Sequence, residues 1–527
     1  EFRTYMDYVS ANIANDGMII TNGGTNTNTI AGTGSLLVFG GAMINDGTIT
    51  QNDLLVNSDS TLRTSAQSLT IANGIENNGT LFIDYSIGAD TNSNDIRGDG
   101  IIRIVNGTDL TNTGEIRQEG MAITNGSTLR TNASLLYIAS RILNNGTLNF
   151  NVTGNNANNI TGSGTLAISS GTLYDQFVTI TNTGSIIQDT IYIHYGNLVT
   201  DASLLSGTRE IAAGWDLTFT GGINTCTITN PDDGVLIIDG NVENADGTSI
   251  TQNALVINSN DKFTANAGDL NVGGVRDNGI LELKDETDST LEESITGSGA
   301  LVKTGAGIVE LTGNNDYEGE TIITEGALQI SDESNIGDNA IGFDGGKLIA
   351  YSNSFAINNQ LTATEGNNVN IDVIDGHLYL DGVINQQSTT SANLVKDGNG
   401  ILELEMDDNY YQGDTYVNNG TLIGTTQNIK GKLYGTGSSN LDTYEFTDDV
   451  QYSDSVVVSA LYPKAPSSYG YDVVLNEVDS ANYIGTFNKT GSASMEVVNY
   501  FRAHLANITD GALYVNNIDS GNNFIVD

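Results

Sequence analysis

Aliphatic and polar residues alternate along this chain in short runs. Thr80-Leu81-Phe82-Ile83-Asp84 and Thr147-Leu148-Asn149-Phe150-Asn151 are typical. Each run follows an Asn-Gly or Asp-Gly dipeptide, which tolerates positive φ and makes a tight turn. The period of two places aliphatics on one face of a strand about five residues long. Turn signals recur too often for uninterrupted helices of ordinary length. A lone strand this short cannot bury its face, but stacked on copies of itself it can, which is the logic of a solenoid.

The turns are spaced as that logic requires. Ile-x-Gly-x-Gly-x-aliphatic occurs at 30–36, 96–102, 160–166 and 295–301, with a weaker copy around Gly234. The second glycines, Gly34, Gly100, Gly164, Gly234 and Gly299, are 66, 64, 70 and 65 residues apart by subtraction. A second series carries Gly47, Gly114, Gly184 and Gly247. Another turn, at Gly79, Gly146 and Gly279, follows Gly47, Gly114 and Gly247 at one fixed offset. The third copy lacks it and is distorted around Trp215. A unit near 66 residues divides into three coils of about 22, so the chain is expected to hold roughly 24 rungs. At the strand spacing this makes an elongated rod on the order of 115 Å long.

From about residue 295 the register changes. Residues 300–330 and 393–423 are related copies and 486–515 a degraded third; Lys303, Lys396 and Lys489 lie 93 and 93 apart (396 − 303, 489 − 396). Leu-x-Lys-x-Gly-x-Gly-x-aliphatic-x-Leu, then Tyr-x-Gly-x-Thr, then Gly-x-Leu, resembles the passenger-associated repeat of bacterial autotransporters. The third copy lacks Tyr-x-Gly-x-Thr, and the resemblance is specific only across 295–431. It implies an all-β fold, a right-handed parallel β-helix (β-solenoid), exported to a Gram-negative surface through an outer-membrane barrel. No barrel-type strand series ends the chain, so that barrel is expected to be absent or cleaved, and a signal peptide to have been removed. The expected organisation is a β-helix of 66-residue units over 1–294 and passenger-associated repeats over 295–431. An irregular insertion or distorted coils fill 432–485, which hold Pro463 and Pro466, and C-terminal coils fill 486–527.

Composition narrows the function. Nineteen Lys+Arg against 64 Asp+Glu give a net charge of −45. Such a polyanion lacks the cations that neutralise nucleic-acid phosphate or anionic lipid. No apolar run reaches the roughly 18 residues of a membrane helix, so direct membrane insertion by this segment is not expected. One cysteine, Cys226, permits neither an internal disulfide nor a Cys-based zinc site, and few cysteines suit export through an oxidising compartment.

Candidate chemistry is sparse. His194, His377 and His504 are far apart, and no His-Glu-x-x-His or Gly-x-Ser-x-Gly accompanies them. Asp232-Asp233, Asp407-Asp408 and Asp448-Asp449 are paired carboxylates of the kind that acid/base hydrolysis uses. With 64 acids, such pairs also arise by chance. Acidic turns offer oxygens for weak Ca²⁺ binding at Asp95, Asp99, Asp338, Asp344, Asp407, Asp408 and Asp414. Arg97-Gly98-Asp99 matches an integrin-read tripeptide, but it fills the slot of Thr161-Gly162-Ser163, where the turn itself needs glycine. Thr25-Asn26-Thr27-Asn28-Thr29 suggests ice binding, yet the pair does not recur rung by rung. Outward Asn and Thr would make an extended polar face, while inward Asn would stack as ladders.

These features point to a non-enzymatic adhesin, secreted or on the cell surface, with no catalytic residues and no cofactor beyond possible Ca²⁺. The expected partners are itself, other bacterial cells, and host surface or extracellular matrix. The alternatives are a structural subunit of an extracellular filament and a β-helical polysaccharide lyase or hydrolase.

Overall fold

The computed structural model describes residues 2–4, 8–84, 89–169, 177–208, 210–229, 234–351, 354–364, 366–386, 392–406 and 409–424; beyond these it describes only strand backbone between 433 and 515. The chain is all-β and winds into parallel stacked coils, a β-solenoid of about 19 turns. The described residues contain no α-helix; their helical elements are short 3₁₀ turns at Ala66–Ser68, Ala133–Leu135, Ala202–Leu205, Ala267–Asp269 and Glu333–Asn335. They divide into two compact units, Glu1–Phe263 with Asn271–Gly273, and Thr264–Leu270 with Gly274–Asp527.

In the first unit one coil consists of three strands, Ser35–Val38, Ala42–Asn45 and Thr48–Gln51, each on its own face. The next coil repeats them directly above, as Asp53–Val56, Thr61–Thr64 and Leu69–Ile71, all paired in parallel. Register superposes aliphatic on aliphatic: Ile19, Leu36, Leu54, Ile75, Ile96 and Ile116 form one column. Leu62, Leu81, Ile102 and Met121 form another. These side chains are buried to within a few per cent, and each contributes about 1.5–3 kcal/mol relative to exposure. A one-residue slip would turn every column outward, so the period-two pattern also fixes the register.

Coils are shorter than a third of the repeat. Three full turns carry Leu62 through Leu81 and Ile102 to Met121, whereas the position one repeat after Leu62 is Leu129, on the next strand along the chain. Each repeat therefore completes three turns and advances by one further face. The equivalent strands Thr61–Thr64, Thr128–Asn132 and Gly196–Thr200 accordingly lie in three different stacks. Surface residues borne by the repeat are distributed round all faces, which is why the Thr25-to-Thr29 pattern does not build one threonine plane.

The second unit uses the same parallel stacking. Leu301 pairs with Leu281 and Thr321, and Leu328 with Val309 and Leu348. Parallel pairing is also present between Thr486–Thr490 and its neighbours Val456–Ser459 and Leu505–Ile508.

Candidate functional site

The polar positions separate into an inner set that builds the coils and an outer set that meets solvent. The inner set forms two kinds of ladder. In the first, Asn26 donates to Asn45 at 2.6 Å and Asn45 to Thr64 at 3.0 Å, one coil apart each time. The pattern recurs as Asn92, Asn112 and Thr131, then as Asn156, Asn182 and Thr200. Each asparagine also meets a backbone group two residues on, such as the Asn45 amide on the Gly47 carbonyl. Buried amides are thus satisfied, as their burial requires.

The second ladder spans two coils. Asn15 donates to Gln51, Asn77 to Gln118 and Asn144 to Gln188 (2.6 Å for the last). Between them passes the Ile-x-Gly-x-Gly turn, and both its glycines are explained. The first stands at φ 122° in Gly98 and 131° in Gly162, where a Cβ would meet the carbonyl oxygen of Asn77 or Asn144 at 2.4 or 2.3 Å, and its own carbonyl accepts from Gln118 or Gln188 at 3.2 Å. A Cβ on Gly100 would lie 2.8 Å from the Asn77 amide nitrogen, so the second glycine leaves room for the bridge. Nothing in the sequence reading assigned these glutamines; their positions at 51, 118, 188 and 252, in phase with the repeat, were the available signal.

The passenger-type residues occupy the same corners. Lys303 and Lys396 are fully buried. The Lys303 ammonium donates to the carbonyls of Thr304 at 2.6 Å and Gly305 at 2.7 Å, and Lys396 repeats this with Asp397 and Gly398 at 2.6 and 2.8 Å. Burial lowers the Lys303 pKa, and Asp285 opposes that shift. Tyr317 stands in register with Gly297, the slot that Gln188 takes against Gly162. Its hydroxyl meets Thr321 at 2.6 Å, and Tyr411 meets Thr415 at 2.7 Å. Asp277 replaces the ladder asparagine of the preceding Asn-Asn-Gly turns and accepts from the backbone of Gly279 and Leu281. Burial raises its pKa to about 6 and that of Tyr317 to about 12. The characteristic Lys, Tyr and Thr of the repeat are therefore construction residues.

The outer candidates do not converge. Asp95 pairs with Arg97 at 2.9 Å and accepts from the Glu115 backbone at 3.0 Å. Asp99 and Asp338 are exposed. Asp344 accepts from Thr364 and Asn367. Asp414 lies half-buried on a turn pinned by Asn393. Among the described residues no three His, Cys, Asp or Glu side chains gather as a metal site. Asp407 and Asp408, like Asp232-Asp233, Asp448-Asp449 and His504, lie outside the described residues. The Arg97-Gly98-Asp99 turn is held from below: the Asp99 backbone N–H donates to Asn78 at 3.1 Å, as Thr33 does to Asp16 and Ser163 to Asn145. A shallow groove of about 370 Å³ lies beside it, lined by Asp53, Asn73, Glu76, Asp95 and Arg97 among others. His377 contacts Glu403 at 2.7 Å and stacks on Tyr379, whereas His194 lies far along the chain among aromatic rings. Cys226 is buried, its thiol donating to the Leu205 carbonyl and its pKa raised by burial; such a thiol is unreactive.

Buried Lys and Tyr-x-Gly-x-Thr thus close corners of this parallel solenoid. The model of the passenger-associated-transport-repeat family matches residues 301–330 and 394–423, and the chain resembles autotransporter passenger domains. It is 30% identical over 226 residues to the "Adhesin BmaC autotransporter" of Brucella suis, covering 42% of this chain and 6% of that protein. It is 26% identical over 228 residues to the Escherichia coli "Uncharacterized protein YuaQ", covering 41% of this chain and 15% of that one. It is also 26% identical over 280 residues to "Uncharacterized lipoprotein YdeK" of the same species, covering 46% and 19%. The chain thus spans less than a fifth of each of these relatives. No solved structure matches it significantly.

Proposed function

We propose that this chain is part of a cell-surface or secreted adhesin passenger that acts by association, with itself and with cell or matrix surfaces, through solvent-facing polar strands. The observation that carries the reading is the likeness over 226 residues to an autotransporter adhesin. The burial of the repeat's distinctive lysines supports it, because residues committed to the coil leave the outer positions free to vary. Outward Thr and Asn offer many weak hydrogen bonds, and repetition turns these into avidity.

A net charge of −45 opposes close approach of two copies. Association is therefore expected to strengthen with salt, by screening, and with Ca²⁺, by bridging exposed carboxylates such as Asp99 and Asp338. Sedimentation velocity at about 0.01 M and about 0.5 M salt, with and without millimolar Ca²⁺, tests this. A monomer unchanged in all conditions would sink the self-association reading.

A further inference from the structure

The third repeat departs from the others at one corner. Elsewhere that turn holds glycine, and a Cβ on Gly79 or Gly146 would come within 2.3 Å of the Ser60 or Ser127 carbonyl beneath. In the third repeat Trp215 takes the position, since Asp216 and Leu217 pair with Asn197 and Leu198 as Thr147 and Leu148 pair with Thr128 and Leu129. The turn beneath is one residue shorter: Ile193 to Gly196 replaces Ile123 to Ser127, with Gly214 and Asn145 donating to the two isoleucine carbonyls. Tyr195 closes it at φ 56°, a region a bulky side chain seldom adopts. One coil below, Phe177 precedes Val178, which pairs with Gly196.

Three successive coils thus place Phe177, Tyr195 and Trp215 at one corner. Phe177 and Trp215 lie 6.0 Å apart edge to face, Trp215 and Tyr195 4.8 Å, Tyr195 and His194 4.4 Å, and His194 and Tyr192 5.8 Å. Phe177 is 47% and Tyr192 40% exposed, and the other three rings are half-buried. Asp216 and Asn197, half-buried and in register, flank the strip with polar groups. Local strain and exposed aromatic area are both costs to folding, and here they coincide.

We propose that this strip is a binding site for a neutral oligosaccharide. The weakly positive C–H face of a pyranose ring lies favourably on the negative face of an aromatic ring, and flanking polar groups take its hydroxyls. The arrangement argues against a cage for a quaternary ammonium, because neighbouring rings touch each other and leave no gap for a cation between them. The net charge of −45 argues against acidic polysaccharides. The inference deepens the adhesion reading by naming a ligand class and rests on that reading only for the strip's exposure at a surface.

Trp215 is the only tryptophan in the chain, so its fluorescence reports occupancy directly. The full chain would be titrated with maltohexaose, cellohexaose, chitohexaose and galactohexaose, and with polygalacturonate as an acidic control. The expected result is a saturable emission change with at least one neutral hexasaccharide. Tyr195→Asn, which suits the positive φ, and Phe177→Ser should each weaken it about three- to tenfold while melting is unchanged. Equilibrium dialysis of the same sugars provides a second readout. The proposal is overturned if no neutral sugar binds in either assay up to roughly 10 mM. It is equally overturned if only the acidic polymer binds, or if either folded variant binds undiminished. Sedimentation of the sugar-free chain is untouched by any of these results, so failure here is distinct from failure of self-association.

Discussion

The two units solve one corner problem with different chemistry. In the first, one recurring turn is bridged by a neutral amide pair, Asn77 with Gln118 and Asn144 with Gln188. In the second, the same slots hold Asp277 and Tyr317, and a buried Lys303 caps the next turn's carbonyls. The glycines between are retained: a Cβ on Gly299 would lie 2.4 Å from the Asp277 carboxylate, as one on Gly100 would lie 2.8 Å from Asn77. Backbone geometry is thus held constant while the side chains pass from uncharged to ionisable. The amide pairs carry no titratable proton; the second unit's corner depends on protonation.

Removing a lysine should have the largest effect. Lys303→Met strips the ammonium from the carbonyls of Thr304 and Gly305 and should cost about 3 kcal/mol. Denaturant unfolding read by hydrogen exchange in 274–424 would check it, and a loss below about 1 kcal/mol would mean water replaces the ammonium. Asn144→Ala in the other unit removes bonds to Gln188, Thr165 and Gly146, with an expected loss of about 2 kcal/mol confined to the first unit.

Asp277 titrates at about 6 in the folded chain and near 3.8 unfolded. The folded state therefore holds the proton more tightly; its contribution is fully present below pH 3.8 and is lost as pH rises through about 6. The second unit should weaken across that window by on the order of 2 kcal/mol. Asp277→Asn, which restores the residue found at 77 and 144, should remove this component of the slope. An unchanged profile would show that Asp277 is solvated. The smallest effect is expected from Tyr317→Phe, which loses the hydroxyl's bonds to Thr321 and to the Gly337 backbone: about 1 kcal/mol in thermal or denaturant unfolding. If it exceeded the asparagine loss, the aromatic slot would be more than an isosteric replacement for glutamine.

Much of the fold was legible because it depends on local rules. Asn-Gly turns, period-two strands and a fixed spacing identify a stacked β architecture from residues such as Gly79, Leu81 and Ile83 alone. The coil length was not legible. The repeat divides evenly by three on paper, whereas stacking Leu62 on Leu81, Ile102 and Met121 closes three turns before the repeat is complete. That distinction exists only once strands are in register. The outer candidates were less legible still. Acidic turns such as Asp95 and Asp344 look alike in sequence whether they collect a cation or, as here, accept bonds from Arg97 or Asn367. The break around Trp215 was visible as a missing turn, but its partners Phe177 and Tyr195 were not, because they come from other coils.

The sequence by itself determined that this chain stacks short strands, where its turns fall, and that it carries a net charge of −45. These follow from φ preferences, side-chain alternation and composition, which act within a few residues or over the whole chain. Only the tertiary structure decided which polar residues face inward, that Lys303 and Tyr317 are structural, and that five rings meet on one surface. Those outcomes depend on contacts between residues a full coil apart, and a one-residue change in a turn, as at Tyr195, is enough to alter them.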